Sequence, residues 1–196
     1  MAIDIQTKKS PPLCSETLTE HYTSMENLTR YLDSIHSSVQ IDLRNREWHL
    51  LGGVPETPGW YYISTNTPIG LLQQQYLWSS TYSRATDQQI VKVRNYDLQR
   101  RANRYSDSLS QYFSTKGVYS GLASKLQSRA REHTFADPGT AGLALSKYPS
   151  LHDYEWIFHF VTLSRFIADC QSKELLLRLG EQVWRSKYGW PLLCAE

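Results

Sequence analysis

Two runs of aromatic and β-branched residues constrain this chain most. Trp60-Tyr61-Tyr62-Ile63-Ser64-Thr65 follows a turn at Pro58-Gly59 and precedes another at Asn66 to Pro68. Tyr154-Glu-Trp-Ile-Phe-His-Phe-Val-Thr-Leu163 is longer and more apolar. Such runs favour the pleated, half-buried surface of a sheet, and the second has the pattern of a central strand. A third, shorter segment, Lys116 to Gly121, reads as a strand ending at a glycine. Strands need partners, so these three segments predict one small sheet that the rest of the chain covers.

Helical spacing fills the intervals. Leu18, Met25, Leu28, Leu32 and Ile35 predict a helix over 15–38, after a polar arm at 1–13. Leu98, Ala102, Tyr105 and Leu109 predict another. A helix is expected over Leu122–Thr134, with Ser124 as a cap, and one more over 165–187, with Leu176, Leu179 and Val183 on its apolar stripe. Gly189-Trp190-Pro191 stops it. The sum is an α+β chain: a three-stranded mixed or antiparallel sheet flanked by helices, with an N-terminal helical extension over 1–50. The main domain spans 51–196 and carries an insertion at 68–114.

At 196 residues, with 40% hydrophobic and 20% charged residues, the chain is long enough for one domain with a true core. Its apolar runs are far shorter than a membrane span requires. Met1-Ala2-Ile3-Asp4-Ile5 lacks the basic and apolar order of a secretory leader. Cys14, Cys170 and Cys194 are scattered and odd in number, which predicts a reducing, cytoplasmic setting. Charge is uneven. Residues 84–133 hold ten Lys or Arg against four acids, a local +6 on a chain of net +2. That block suggests a polyanionic partner, although a solvated helical face would carry the same residues.

Arg129 and His133 are four apart and share a helix face. Arg129 follows Tyr119 by ten residues, so a helix folded back on its strand brings that face near a strand tyrosine. Glu174, Arg178, Glu181 and Arg185 lie opposite the Leu176 stripe, where an exposed ladder of ion pairs is the plain expectation.

Taken in order, Tyr61, Tyr119-x-Gly121, Arg129-x-x-x-His133, a strand, and a helical Glu181 ahead of Pro191 resemble the GIY-YIG nuclease superfamily. Val118 to His133 is similar to its second motif strand and first core helix. Pro58 to Asn66 is similar to its first strand, and Leu179 to Pro191 to the helix that presents a metal-binding glutamate. The resemblance covers 59–66 and 116–194. About fifty residues separate the two tyrosine strands instead of the family's ten or so. Ser120 stands where an aliphatic residue is usual, and the family's asparagine position falls on Leu193 or Cys194.

The resemblance implies a metal-dependent endonuclease that hydrolyses phosphodiester bonds in double-stranded DNA, most like a type II restriction enzyme. Glu181 would hold one Mg²⁺ or Mn²⁺, and Arg129 would clamp the scissile phosphate. Tyr61 would take a proton from water or orient it, Tyr119 would position water or phosphate, and His133 would relay a proton or bond a tyrosine. Tyr62 is the rival of Tyr61, and Glu174 and Glu155 are rivals of Glu181. His152 and His159 read as structural, Trp156 and Trp184 as core. Lys92, Arg94, Arg100, Arg101, Arg104, Lys125 and Arg131 are the expected DNA contacts. Cutting both strands would call for a homodimer or two sequential nicks. A non-catalytic nucleic-acid-binding module, or a repair, mobile-element or toxin nuclease, remains the alternative.

Overall fold

A computed structural model describes residues 36–76, 81–85, 90–94, 97–104, 116–135, 142–162 and 173–194. In chain order the elements are β1 (Ser37–Gln40), α1 (Trp48–Leu51), β2 (Gly59–Thr65), α2 (Ile69–Leu72), β3 (Thr81–Ala85), β4 (Ile90–Arg94), α3 (Leu98–Arg104), β5 (Gly117–Ala123), α4 (Leu126–Phe135), β6 (Trp156–Thr162) and α5 (Lys173–Tyr188). The fold is α+β, as the sequence predicts.

The main sheet has four strands in the order β1-β6-β2-β5, every pair antiparallel. The sequence predicts three; the fourth, β1, occupies Ser37 and Ser38, which the periodicity had assigned to the end of a helix. Residues 15–35 of that expected helix lie outside the described residues. Four mostly polar residues on a sheet edge give little signal, and here pairing with β6 decides the conformation. Within 68–114, β3 and β4 form a separate two-stranded hairpin, and α3 buries Leu98 and Ala102 as predicted.

Alternation along β2 sorts its side chains. Tyr61 and Ile63 point into the larger core with Phe158, Leu126, Ala130, Leu143 and Leu145. Trp60 and Tyr62 point the other way, toward α5: Gly180 passes close to the Trp60 ring, and Tyr62 stacks between His159 and Trp184, with centroids 4.1 and 4.8 Å away. A Cβ at Gly180 would stand 3.1 Å from that indole, so the helix sits this low because the residue has no side chain. On α5 the observed apolar contact is made by Gly180, Val183 and Trp184, whereas Leu179 is exposed.

Candidate functional site

Antiparallel register sets Tyr61 opposite Gly121, and Ile63 opposite Tyr119. Tyr61 and Tyr119 are therefore diagonal neighbours on one face, their rings stacked with centroids 6.1 Å apart. Gly121 explains the spacing of the second motif: a Cβ there would come within 2.6 Å of the Tyr61 hydroxyl. Only glycine lets the phenol lie across β5.

After Ala123 the chain turns through two residues into α4. The helix start is tied to the loop before β2 by Leu126 N–H donating to the Thr57 carbonyl and Gln127 N–H to that of Pro55. The expected start at Leu122 is early by about one turn, because β5 runs on to Ala123 and the helix begins at Leu126. This docking turns Arg129 and His133 toward the two tyrosines.

Four predicted residues gather around the Arg129 guanidinium: Tyr61, Tyr119, His133 and Arg129 itself. Arg129 donates from Nε to Tyr61 Oη at 2.9 Å and from a terminal nitrogen to Tyr119 Oη at 3.4 Å. Another terminal nitrogen pairs with Glu132 at 3.0 Å. His133 Nε2 is 2.8 Å from Tyr61 Oη, and His133 Nδ1 accepts the Leu143 N–H at 3.3 Å. Burial, helped by the Arg129 charge, holds the His133 pKa well below its ordinary value, so the ring is neutral. With Nδ1 accepting, its single proton is on Nε2, which donates to Tyr61. The Tyr61 oxygen thus receives two hydrogen bonds, one from a cation, and both favour negative charge on it. Burial is the largest influence on Arg129 and acts to lower its pKa. The Tyr61 and Tyr119 charges and the hydrogen bonds to Tyr61 and Glu132 outweigh it, and the guanidinium stays charged. Tyr61 itself is 1% exposed, Tyr119 6%, while the Arg129 side chain reaches 19%.

Glu181 meets β5 from the opposite face. Its carboxylate pairs with Arg185 and bonds Ser120, whose side chain points away from Tyr119 by strand alternation. Arg185 also donates from Nε to Ser120 Oγ at 2.9 Å and from a terminal nitrogen to the Ser120 carbonyl at 3.3 Å. Cys194 completes the group: its sulfur accepts the Ser120 N–H and donates to the Ser120 carbonyl, both at 3.2 Å. A side chain there does the work of a strand partner, with Leu193 N–H bonded to the Val118 carbonyl beside it. The expected ion-pair ladder of α5 is therefore not solvent-exposed at Glu181 and Arg185, whose side chains are only 11% and 13% exposed. Sequence spacing located Glu181, but it missed Arg185, Ser120, Cys194 and Glu132 as a working set. The i,i+4 pattern is the same for buried and solvated pairs.

Among the described residues no three His, Cys, Asp or Glu side chains gather as a metal site. A cation here would rest on the single Glu181 carboxylate and keep several waters, which is how Mg²⁺ is commonly held. Burial raises the Glu181 pKa, while Arg185, Arg178 and Ser120 act the other way.

The basic residues divide. Arg100 and Arg104 are exposed one turn apart on α3, and Arg131 is exposed on α4. Arg101 leans inward and donates to the Cys194 carbonyl at 3.5 Å, which ties α3 to the segment that follows α5. Lys125 pairs with Glu56 at 3.7 Å. Lys92 and Arg94 lie in β4, in register with Ser83 and Thr81 of β3. His159 bonds Ser38 and Ser64, each at 2.8 Å, and Trp156 is fully buried, consistent with structural roles. No family model, curated protein or solved structure matches the chain.

Proposed function

We propose that the chain is a divalent-metal-dependent endonuclease acting on double-stranded DNA, of the GIY-YIG type that its motifs resemble. The observation that carries this reading is that Arg129 and His133 converge on the Tyr61 hydroxyl while Arg129 also reaches the Tyr119 hydroxyl. Two strands and a helix supply these residues, from positions 72 apart in sequence.

Arg129 neutralises the charge that builds on the phosphate, for which a planar guanidinium is well shaped. Tyr61 Oη, held by two donors, takes the proton of the attacking water or aims it. His133 fixes the phenol through a neutral N–H and so adds no second cation to the cluster. Tyr119 orients water or a phosphate oxygen from the neighbouring strand. Glu181 would hold the Mg²⁺ or Mn²⁺, which supplies polarisation of the phosphate and stabilisation of the leaving 3′ oxygen. The four-residue cluster and Glu181 lie on opposite faces of β5, the outermost strand of the four-stranded sheet. Arg100 and Arg104, exposed on α3, would be backbone contacts for the duplex. A restriction-type role and a homodimer follow from the resemblance alone.

Near-complete burial of Tyr61 favours a second reading, a nucleic-acid-binding module in which the cluster is a structural core. Supercoiled plasmid incubated with pure protein and Mg²⁺, with an EDTA control, separates the two. Metal-dependent linear or nicked product supports the nuclease, discrete bands add sequence specificity, and unchanged supercoils with salt-sensitive binding support the module.

A further inference from the structure

Arg129 is held at three points by side chains of very different access. Its Nε donates to the Tyr61 hydroxyl at 2.9 Å and one terminal nitrogen to that of Tyr119 at 3.4 Å. The other terminal nitrogen pairs at 3.0 Å with Glu132, three residues on along α4. Tyr61 and Tyr119 are 1% and 6% exposed, whereas the Glu132 and Arg129 side chains are 20% and 19% exposed. An anion arriving from solvent therefore meets the guanidinium where a carboxylate already sits. The two phenols fix the plane of the fork, so its orientation does not depend on Glu132. A guanidinium binds carboxylate and phosphate in the same forked geometry, so the two compete for one terminal nitrogen.

We propose that Glu132 is a resident anion: its carboxylate occupies the position at Arg129 that a substrate phosphate takes, and leaves it when that phosphate arrives. This deepens the reading above and rests on Arg129 as the phosphate's partner. The device sets specificity by making the arginine a poor site for lone anions. Free inorganic phosphate must displace Glu132 unaided, while a phosphate within a duplex is brought in by contacts along the backbone. A purely structural Glu132 predicts the opposite sign. With the ion pair weakened, Arg129 would be less well held and anions would bind less tightly.

The test is titration of the full chain with inorganic phosphate at constant ionic strength. Binding is read by nitrogen NMR of the Arg129 Nε–H and by the phosphate-dependent rise in melting temperature. Glu132→Gln keeps an oxygen that accepts from Arg129 and removes the charge. It is expected to tighten phosphate binding about tenfold. Glu56→Gln removes an equal charge from the exposed pair with Lys125. It is expected to change the affinity by less than about twofold. A folded Glu132→Gln protein that binds phosphate no more tightly than the unaltered chain, or a Glu56→Gln protein that gains as much, would overturn the proposal while leaving Arg129 as the phosphate's partner. If Glu132→Gln does not fold, the carbon NMR signal of the Glu132 carboxyl in the unaltered chain decides. It is expected to move with the same midpoint as the Arg129 signal, and a stationary signal overturns the proposal. Absence of phosphate binding by both the unaltered chain and Glu132→Gln, or binding unchanged in Arg129→Gln, would overturn Arg129 as the phosphate's partner and this proposal with it.

Discussion

Tyr61 Oη accepts from Arg129 and His133 at once, so the cluster depends on both donors. His133 has no exposure, and its second nitrogen holds the Leu143 N–H. Changing His133 to Ala leaves a cavity, a tyrosine oxygen with one donor fewer and a backbone N–H without its acceptor. About 2–3 kcal/mol of stability is expected to go, read by urea denaturation. His159 gives a prediction of a different kind. Burial, with a smaller push from His36, lowers its pKa from 6.5 to about 4. Between those values the unfolded chain binds a proton that the folded chain refuses. Its contribution is therefore complete above pH 6.5, declines as pH falls below that, and is exhausted near pH 4. It amounts to about 3 kcal/mol at most. His159→Gln is expected to flatten the stability profile across that window; a slope equal to that of the unaltered chain would contradict the assignment.

At the scale of elements, β5 explains what the sequence made legible. The residues of β5 read as a strand ending at a glycine, and the resemblance joined Tyr119 with Tyr61; the register places the two on one face. Arg129 and His133 were legible because one helical turn separates them. Position across the sheet was not legible. Spacing along α5 identified Glu181 but not the face of β5 that it meets, which depends on Gly180 seating the helix against Trp60. Nor was β1, whose four residues carry no apolar alternation and take their conformation from β6. Gly121→Ala tests the element directly. Its new Cβ would overlap the Tyr61 hydroxyl, which must then leave Arg129 or His133. A destabilisation of about 1–3 kcal/mol is expected by thermal or urea melting, together with a cleavage loss much larger than that cost implies. Full cleavage by a folded Gly121→Ala protein would show that the phenol's position is unimportant.

For the whole molecule, the last described residues close the sheet's outer edge. Leu192 and Leu193 are buried, and Cys194 and Leu193 bond the backbone of β5. An uncovered edge strand invites pairing with another chain. Truncation after Gly189 is expected to cost at least about 3 kcal/mol from the two leucines alone. It should also produce concentration-dependent association on size-exclusion chromatography. An unchanged melt and a monodisperse profile would contradict an edge-capping role. The same segment carries Trp190 and Cys194, both in contact with Arg185, so cap and carboxylate anchor are one assembly.

The central claim is that the Tyr61 hydroxyl, not merely its ring, serves phosphodiester hydrolysis. Tyr61→Phe keeps the ring stacked against Tyr119 and Phe158 and deletes one oxygen. The direct measurement is the single-turnover rate of Mg²⁺-dependent DNA cleavage by this variant and by the unaltered chain, with duplex affinity taken by fluorescence anisotropy. A rate lower by about 10²–10⁴ with affinity preserved is the expected result. Equal rates would contradict it.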